Sequence, residues 1–181
     1  MRITVKGRKK HYLIALLAGP LIVPFLTSGS DQVTLFEQAQ QRGSLTLLTR
    51  NGASSYFIGP DGGAGPEYDV AAAFAEYLGL ELEVELAQEF GDLGSLLERR
   101  QGELIAANLT RNKSREARYS FGPDYAEATT IVVYKRGKTR PRELADLVGM
   151  RLAVIAGSSY ESQLELAKES LPDLKWTSEK S

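Results

Sequence analysis

Apolar positions recur along this chain with two different spacings. Leu80, Leu82, Val84 and Leu86 alternate with Glu81, Glu83 and Glu85, a period of two that predicts a strand with one face buried and one in water. Val70, Phe74 and Leu78 recur every fourth residue beside Ala71 and Ala75. That spacing predicts a helix over 67–78, ended by Gly79. Shorter signals fill in the rest. A helix is expected over 33–43, with Leu35, Phe36 and Ala39 as its stripe, and another over 93–100. The runs SLTLLT at 44–49 and LIAANL at 104–109 predict buried strands. So does TTIVVYK at 129–135, which is rich in β-branched residues. One helical turn is expected over 143–147, a strand over 151–156, a helix over 158–171 and the start of a strand over 174–177.

Residues 50–66 contain five glycines and two prolines and predict a loop without regular structure. Strand and helix otherwise alternate, which argues for an α/β fold with mostly parallel strands. The stiff connector Arg140-Pro141-Arg142 marks the expected boundary, near residues 135–142. About 40 residues follow it, too few for a core of their own. Either they pack on the first part, or the chain is a piece of something longer.

The N-terminus has its own pattern. Arg2, Lys6, Arg8, Lys9 and Lys10 precede an apolar run, Tyr12 to Leu26, and then the small residues Thr27, Ser28, Gly29 and Ser30. This is the three-part layout of a secretory signal over residues 1–30. A retained membrane anchor is the competing reading, because the uncharged run is nearly long enough to span; Gly19, Pro20 and Pro24 interrupt it. Either reading exports the rest of the chain.

Charge changes the picture once that segment is set apart. The 181 residues carry a net charge of −1, but the basic N-terminus leaves 17 basic and 23 acidic groups on the remainder, a charge of −6. No nucleic-acid partner is expected of so acidic a body. The single histidine is His11 and there is no cysteine. Ser-His-Asp and Cys-His catalysis, thiol redox chemistry and the usual zinc sites are therefore excluded from the body. No catalytic residue, metal ligand or cofactor is expected. The acidic runs Glu81/Glu83/Glu85 and Glu161/Glu165/Glu169 read as solvated faces rather than acid–base pairs.

In open α/β sheets, ligands lie at the carboxyl ends of strands, beside helix N-termini. Two segments meet that rule. Asn108 to Arg115 follows LIAANL and offers an amide, a hydroxyl on Thr110 and the guanidinium of Arg115. A guanidinium grips a carboxylate through two parallel hydrogen bonds; the same segment also fits a solvated turn with surface arginines. Gly157-Ser158-Ser159-Tyr160-Glu161 follows RLAVIA. Its serines sit beside free helix N–H groups, and Ser158 with Glu161 also spells a capping box that only starts a helix. Tyr56, in the glycine-rich loop, would either stack on an organic ligand or pack on its own scaffold.

These segments together resemble the extracellular solute-binding fold of type 3. The likeness is carried by Leu45-Thr46-Leu47-Leu48-Thr49, Glu67-Tyr68-Asp69-Val70-Ala71, Phe74 to Gly79, Asn108-Leu109-Thr110, Ser114-Arg115 and Phe121-Gly122-Pro123-Asp124-Tyr125. It implies an α/β, periplasmic-binding-protein-like two-lobed fold. The first lobe, 31–134, would be largely complete and the second, 135–181, truncated. It also implies that Arg115 holds a ligand carboxylate, that Thr110 is the hydroxyl contact and Asn108 the carbonyl contact, and that Ser158 and Ser159 touch the same carboxylate. Arg50 stands where amino-acid receptors often have an acid, which argues against a free amino acid as ligand.

A narrower resemblance rests on Gln40 to Leu45, Val133 to Gly137, Arg140 to Leu147, Gly157 to Tyr160 and Pro172 to Trp176. These segments look like the membrane-bound lytic murein transglycosylase F family. That family implies a signal, a solute-receptor-like module and a lysozyme-like domain with a catalytic Glu, a domain this sequence does not contain. The expected role is a regulatory binding module for a muropeptide or amino-acid-like small molecule. Peptidoglycan would be reached through the parent enzyme, and the membrane through the N-terminus or by peripheral association. The expected place is the periplasm, at the outer membrane. The competing role is a periplasmic amino-acid receptor feeding an ABC transporter.

Overall fold

The structure is a computed structural model and describes residues 33–180; the expected signal or anchor over 1–30 lies outside the described residues. Helix α1, Leu35–Arg42, opens on a reciprocal cap. The Glu37 N–H donates to Thr34 Oγ1 at 3.2 Å, and the Thr34 N–H donates to Glu37 Oε2 at 2.7 Å. Gly43 closes the helix by donating its N–H to the Ala39 carbonyl at 2.8 Å. Strand β1, Ser44–Thr49, follows at once and becomes the centre of the first sheet.

That sheet has the order β4-β1-β5, with β4 at Glu81–Leu86 and β5 at Leu104–Ile105, both parallel to β1. The register pairs Leu45 with Leu82 and Leu48 with Ile105. Helices α2, Pro66–Leu78, and α3, Asp92–Glu98, pack against it. A central parallel strand is covered on both faces, which is why β1 reads as an unbroken buried run rather than an alternation. Leu45 packs with Ala39 and Ala75, and Leu48 with Leu93 and Ala107. Edge strand β4 keeps its three glutamates in water, where their charge discourages pairing with another chain.

A second, smaller sheet follows. A 3-10 turn at Leu144–Leu147 leads to strand β6, Leu152–Ile155, helix α5, Ser159–Lys168, and strand β7, Trp176–Glu179. β6 and β7 pair in parallel, Leu152 beside Trp176. Leu147, Leu164 and Leu174 form the buried cluster beneath them. The order of elements and the parallel sheets bear out the α/β reading.

Several expectations are corrected. Residues 129–135 are not a strand but irregular backbone, with Ile131 74% and Val133 86% exposed. β-branched residues fit a paired, half-buried surface, and among the described residues no strand pairs with this segment. Residues 50–66 are not wholly irregular. They hold the hairpin β2, Phe57–Gly59, and β3, Gly62–Ala64, turned by Pro60-Asp61, a turn signal present in the sequence. The strand expected over 104–109 is only two residues long, and beyond it Asn108 takes a left-handed conformation, φ +56°. Helix α2 also presents a different face from the one its i+4 pattern suggests. Ala71 and Ala75 are buried, whereas Val70 and Phe74 are exposed, since small side chains allow the closer approach to the sheet. Finally, one turn of helix, α4 at Lys113–Glu116, begins where Asn112 accepts the Arg115 N–H.

Candidate binding crevice

The carboxyl ends of β1, β5 and β6 open on one crevice of about 250 Å³. It is bordered by Arg50, Asn51, Gly52, Ser54 and Ser55 after β1, by Phe90, and by Ala107, Asn108 and Thr110 after β5. Ile155, Ser158, Ser159 and Tyr160, from β6 and the start of α5, complete it. None of these residues is acidic.

Asn108 is held from two sides. Its backbone N–H donates to both carboxylate oxygens of Glu67, at 2.8 Å each. Its side-chain Nδ2 donates to Ser54 Oγ and Ser55 Oγ, again at 2.8 Å each. Both amide hydrogens are thereby committed, so Oδ1 is the part of the group left to accept from a ligand. The serine loop is seated in turn on the start of α2. The Tyr68 N–H donates to the Ser55 carbonyl at 3.1 Å, which satisfies one of the helix's free donors. Gly65 makes this possible. At φ +135° it brings the loop so close that a Cβ there would lie 2.5 Å from the Ser55 oxygen.

Arg115, on α4, joins the segment after β5 to the turn after β6. Its Nη1 donates to the Thr110 carbonyl at 2.8 Å and its Nη2 to the Gly157 carbonyl at 3.0 Å. Its guanidinium lies 5.7 Å from the Phe90 ring centroid. Burial lowers its pKa from the ordinary value, though an arginine keeps its charge throughout the working pH range. The Ser159 hydroxyl donates to Thr110 Oγ1 at 3.2 Å, a second link between these segments.

Ser158 caps α5, accepting the Glu161 N–H at 3.2 Å. The reciprocal half of the expected capping box does not form. Glu161 reaches one residue further back, to the Gly157 N–H at 2.7 Å, and also accepts from Trp176 Nε1 at 3.4 Å and from the Ser178 hydroxyl. The carboxylate thus ties Gly157, next to the crevice residue Ser158, to β7.

The structure therefore brings Asn108, Thr110, Ser158 and Ser159 to the border of one crevice. Arg115 joins them through Thr110, Gly157 and Phe90 without bordering it. Tyr56 does not join them. Its ring packs on Tyr68, with centroids 5.3 Å apart and planes tilted by 56°, which is the scaffold role and not the stacking one. Sequence reasoning missed the serine pair at 54 and 55, Phe90 and the support from Glu67. Nothing in the sequence distinguishes Glu67 from any acid in a first helical turn. Arg50 had a readable position, directly after a strand.

The profile of the bacterial extracellular solute-binding proteins, family 3, matches residues 46–175. Among curated relatives, a membrane-bound lytic murein transglycosylase F of Aliivibrio fischeri is 39% identical over 149 residues, 81% of this chain and 30% of that protein. Its namesake from Photobacterium profundum is 41% identical over 150 residues, 82% of this chain and 29% of that protein. The chain thus spans about 30% of the length of these relatives. Among solved structures, an ancestral arginine-binding protein bound to arginine superposes with a TM-score of 0.66 at 25% identity, covering 76% of this chain and 61% of that one. An ancestral arginine-binding protein bound to glutamine gives a TM-score of 0.64 at 25% identity, covering 76% and 60%. With its α/β architecture, its parallel sheets and a profile match over most of its length, the chain belongs to the bacterial extracellular solute-binding proteins, family 3.

Proposed function

We propose that this chain is a regulatory binding module that takes a carboxylate-bearing cell-wall fragment into the crevice. In a longer protein of the murein transglycosylase F kind, that binding would be coupled to glycan cleavage carried out elsewhere in the protein. Residues 31–134 serve as one lobe and 135–181 belong to the other. The chain is exported to the periplasm and works at the outer membrane, reached through its N-terminus or by peripheral association.

The observation that carries this reading is the composition of the crevice: hydroxyls, the amides of Asn51 and Asn108 and the Arg50 cation at converging strand ends, with no acid among them. Arg115 has five N–H donors and spends two hydrogen bonds on backbone carbonyls. A ligand carboxylate competes with the Gly157 carbonyl for that guanidinium, and Thr110, Asn108, Ser158 and Ser159 supply the remaining contacts. Lobe movement then follows from the difference in affinity between the open and closed arrangements.

The other reading is an amino-acid receptor serving an ABC transporter. The arginine- and glutamine-bound structural neighbours favour it; the lack of a carboxylate to hold an ammonium group argues against it. Calorimetric titration of the folded chain with muropeptides, arginine and glutamine tests both. Heat with a muropeptide and none with the amino acids supports the module. The reverse supports the receptor, and no heat with any of them refutes both.

A further inference from the structure

Of the described arginines, only Arg50 and Arg115 are half-buried; the others are exposed. Three of the exposed ones are paired: Arg42 with Glu103 at 3.0 Å, Arg111 with Asp124 at 2.9 Å, and Arg118 with Glu98. Among the described residues, neither half-buried arginine has a carboxylate within 4.0 Å. This inverts the usual arrangement, in which a charge drawn out of water is the one that is paired.

The two groups are also close to each other. Each guanidinium carbon lies 5.7 Å from the centroid of the same Phe90 ring, so they can be no farther apart than twice that distance. The ring's negative faces offset part of the charge. They do not supply hydrogen-bond acceptors for a guanidinium fork. Arg50 borders the crevice directly, and no acid borders it. An α-ammonium group beside a bound carboxylate would therefore meet cations and no acceptor of opposite charge.

Building on the binding function proposed above, we infer that the crevice selects a ligand with two carboxylates and a blocked amine, with Arg50 as the second anchor beside Arg115. The class is an N-acylated dicarboxylate. One carboxylate meets the Arg115 side of Phe90, where Thr110 and Ser159 converge. The other meets the Arg50 side, next to Asn51 and Gly52. The two anionic groups neutralise the two cations that the protein leaves unpaired, and a zwitterionic amino acid cannot do so without burying its ammonium among them.

The test titrates the folded chain calorimetrically with N-acetylglutamate, N-acetylglutamine, glutamine and arginine, and repeats the series on Arg50→Gln and Arg50→Lys. Thermal melts of each variant confirm folding. The wild type is expected to prefer N-acetylglutamate over N-acetylglutamine by about tenfold or more, the range of one desolvated charge contact. Arg50→Gln is expected to abolish that preference, and Arg50→Lys to keep part of it. Equal affinity for the diacid and its monoamide, or a preference that survives in Arg50→Gln, overturns the inference while leaving carboxylate binding in place. Binding of arginine or glutamine in preference to both acylated probes overturns it too. No binding of any probe or of a muropeptide refutes the underlying function together with the inference.

Discussion

Both carboxylate oxygens of Glu67 accept the backbone N–H of Asn108, 2.8 Å from each and 41 residues away along the chain. Glu67 is 5% exposed and, among the described residues, has no cation within 4.0 Å. It is held by this N–H, by the Tyr125 hydroxyl and by its place in the first turn of α2. The pair joins the start of a helix to the left-handed residue at the end of a strand. It therefore fixes the amide that the crevice presents. Glu67→Gln replaces an acceptor with a donor facing a donor. It is expected to lower stability by about 1–3 kcal/mol, read as a shifted urea midpoint at unchanged slope, and to weaken ligand binding. An unshifted midpoint would show that the contact contributes nothing.

Arg115 makes the second prediction. Arg115→Ala is expected to cost ~2–5 kcal/mol in muropeptide binding, the loss of one desolvated charged contact. Arg115→Lys keeps the charge but not the planar fork, and is expected to recover only part of the affinity. Calorimetry that finds the alanine variant binding as tightly as the parent would remove Arg115 from the site.

Gly157 and Gly91 give an asymmetric pair. Gly157 is left-handed, φ +70°, and a Cβ there would lie 2.9 Å from Gly91 Cα. A Cβ on Gly91 meets only the Ala156 oxygen, at 3.7 Å, an ordinary contact. Gly157→Ala should destabilise the chain by about 1–2 kcal/mol from backbone conformation alone. It should also weaken binding, because the carbonyl that Arg115 grips must shift. Gly91→Ala should do neither. Thermal melts and titrations of the two variants side by side decide the matter.

Tyr125 and Glu161 make stability depend on pH in opposite directions. Burial first, and then the hydrogen bond to Glu67 and its charge, push the Tyr125 hydroxyl up to about 12. The folded chain then holds this proton more tightly than the unfolded one, so its contribution is complete below the ordinary tyrosine value of about 10. It is lost as pH rises from there through the folded value. Burial also raises Tyr119, so ultraviolet titration of tyrosinate should show late ionisation that is reduced, not abolished, in Tyr125→Phe. Glu161 is shifted the other way. Hydrogen bonds from Ser178 and the Gly157 backbone, and more weakly from Trp176, hold its carboxyl below the usual range. Its contribution is present above the ordinary glutamate value and fades as pH falls through the lowered one. Acid unfolding of Glu161→Gln should accordingly be less steep.

The sequence made the strongly periodic elements legible. The leucine–glutamate alternation of β4 and the apolar run of β1 report how many faces are covered, a property each segment carries in itself. The strand expected at 129–135 failed because pairing belongs to two segments at once, and one segment's residues cannot supply the other. Helix α2 shows a related limit: spacing marked the stripe of larger apolar groups, but burial went to the alanines. In the crevice, the residues at strand ends were readable from position, including Asn108, Thr110, Ser158 and Ser159. Tyr56 was not, because whether a ring meets a ligand or another ring depends on where Tyr68 folds. Glu67 could not be found at all. Its importance comes from Asn108 alone, and no local pattern encodes that meeting.

The two alanines at the base of α2 have a remote effect. Ala71 and Ala75 are almost fully buried, and on the helix side of the seam they offer only methyl groups, with Leu45 of the sheet packed on Ala75. Any bulkier residue at Ala71 would act as a wedge one turn from the Glu67 carboxylate, tilting it away from the amide that it holds. The recognition surface can therefore be retuned from within the seam between helix and sheet, by a change that never touches a guest molecule.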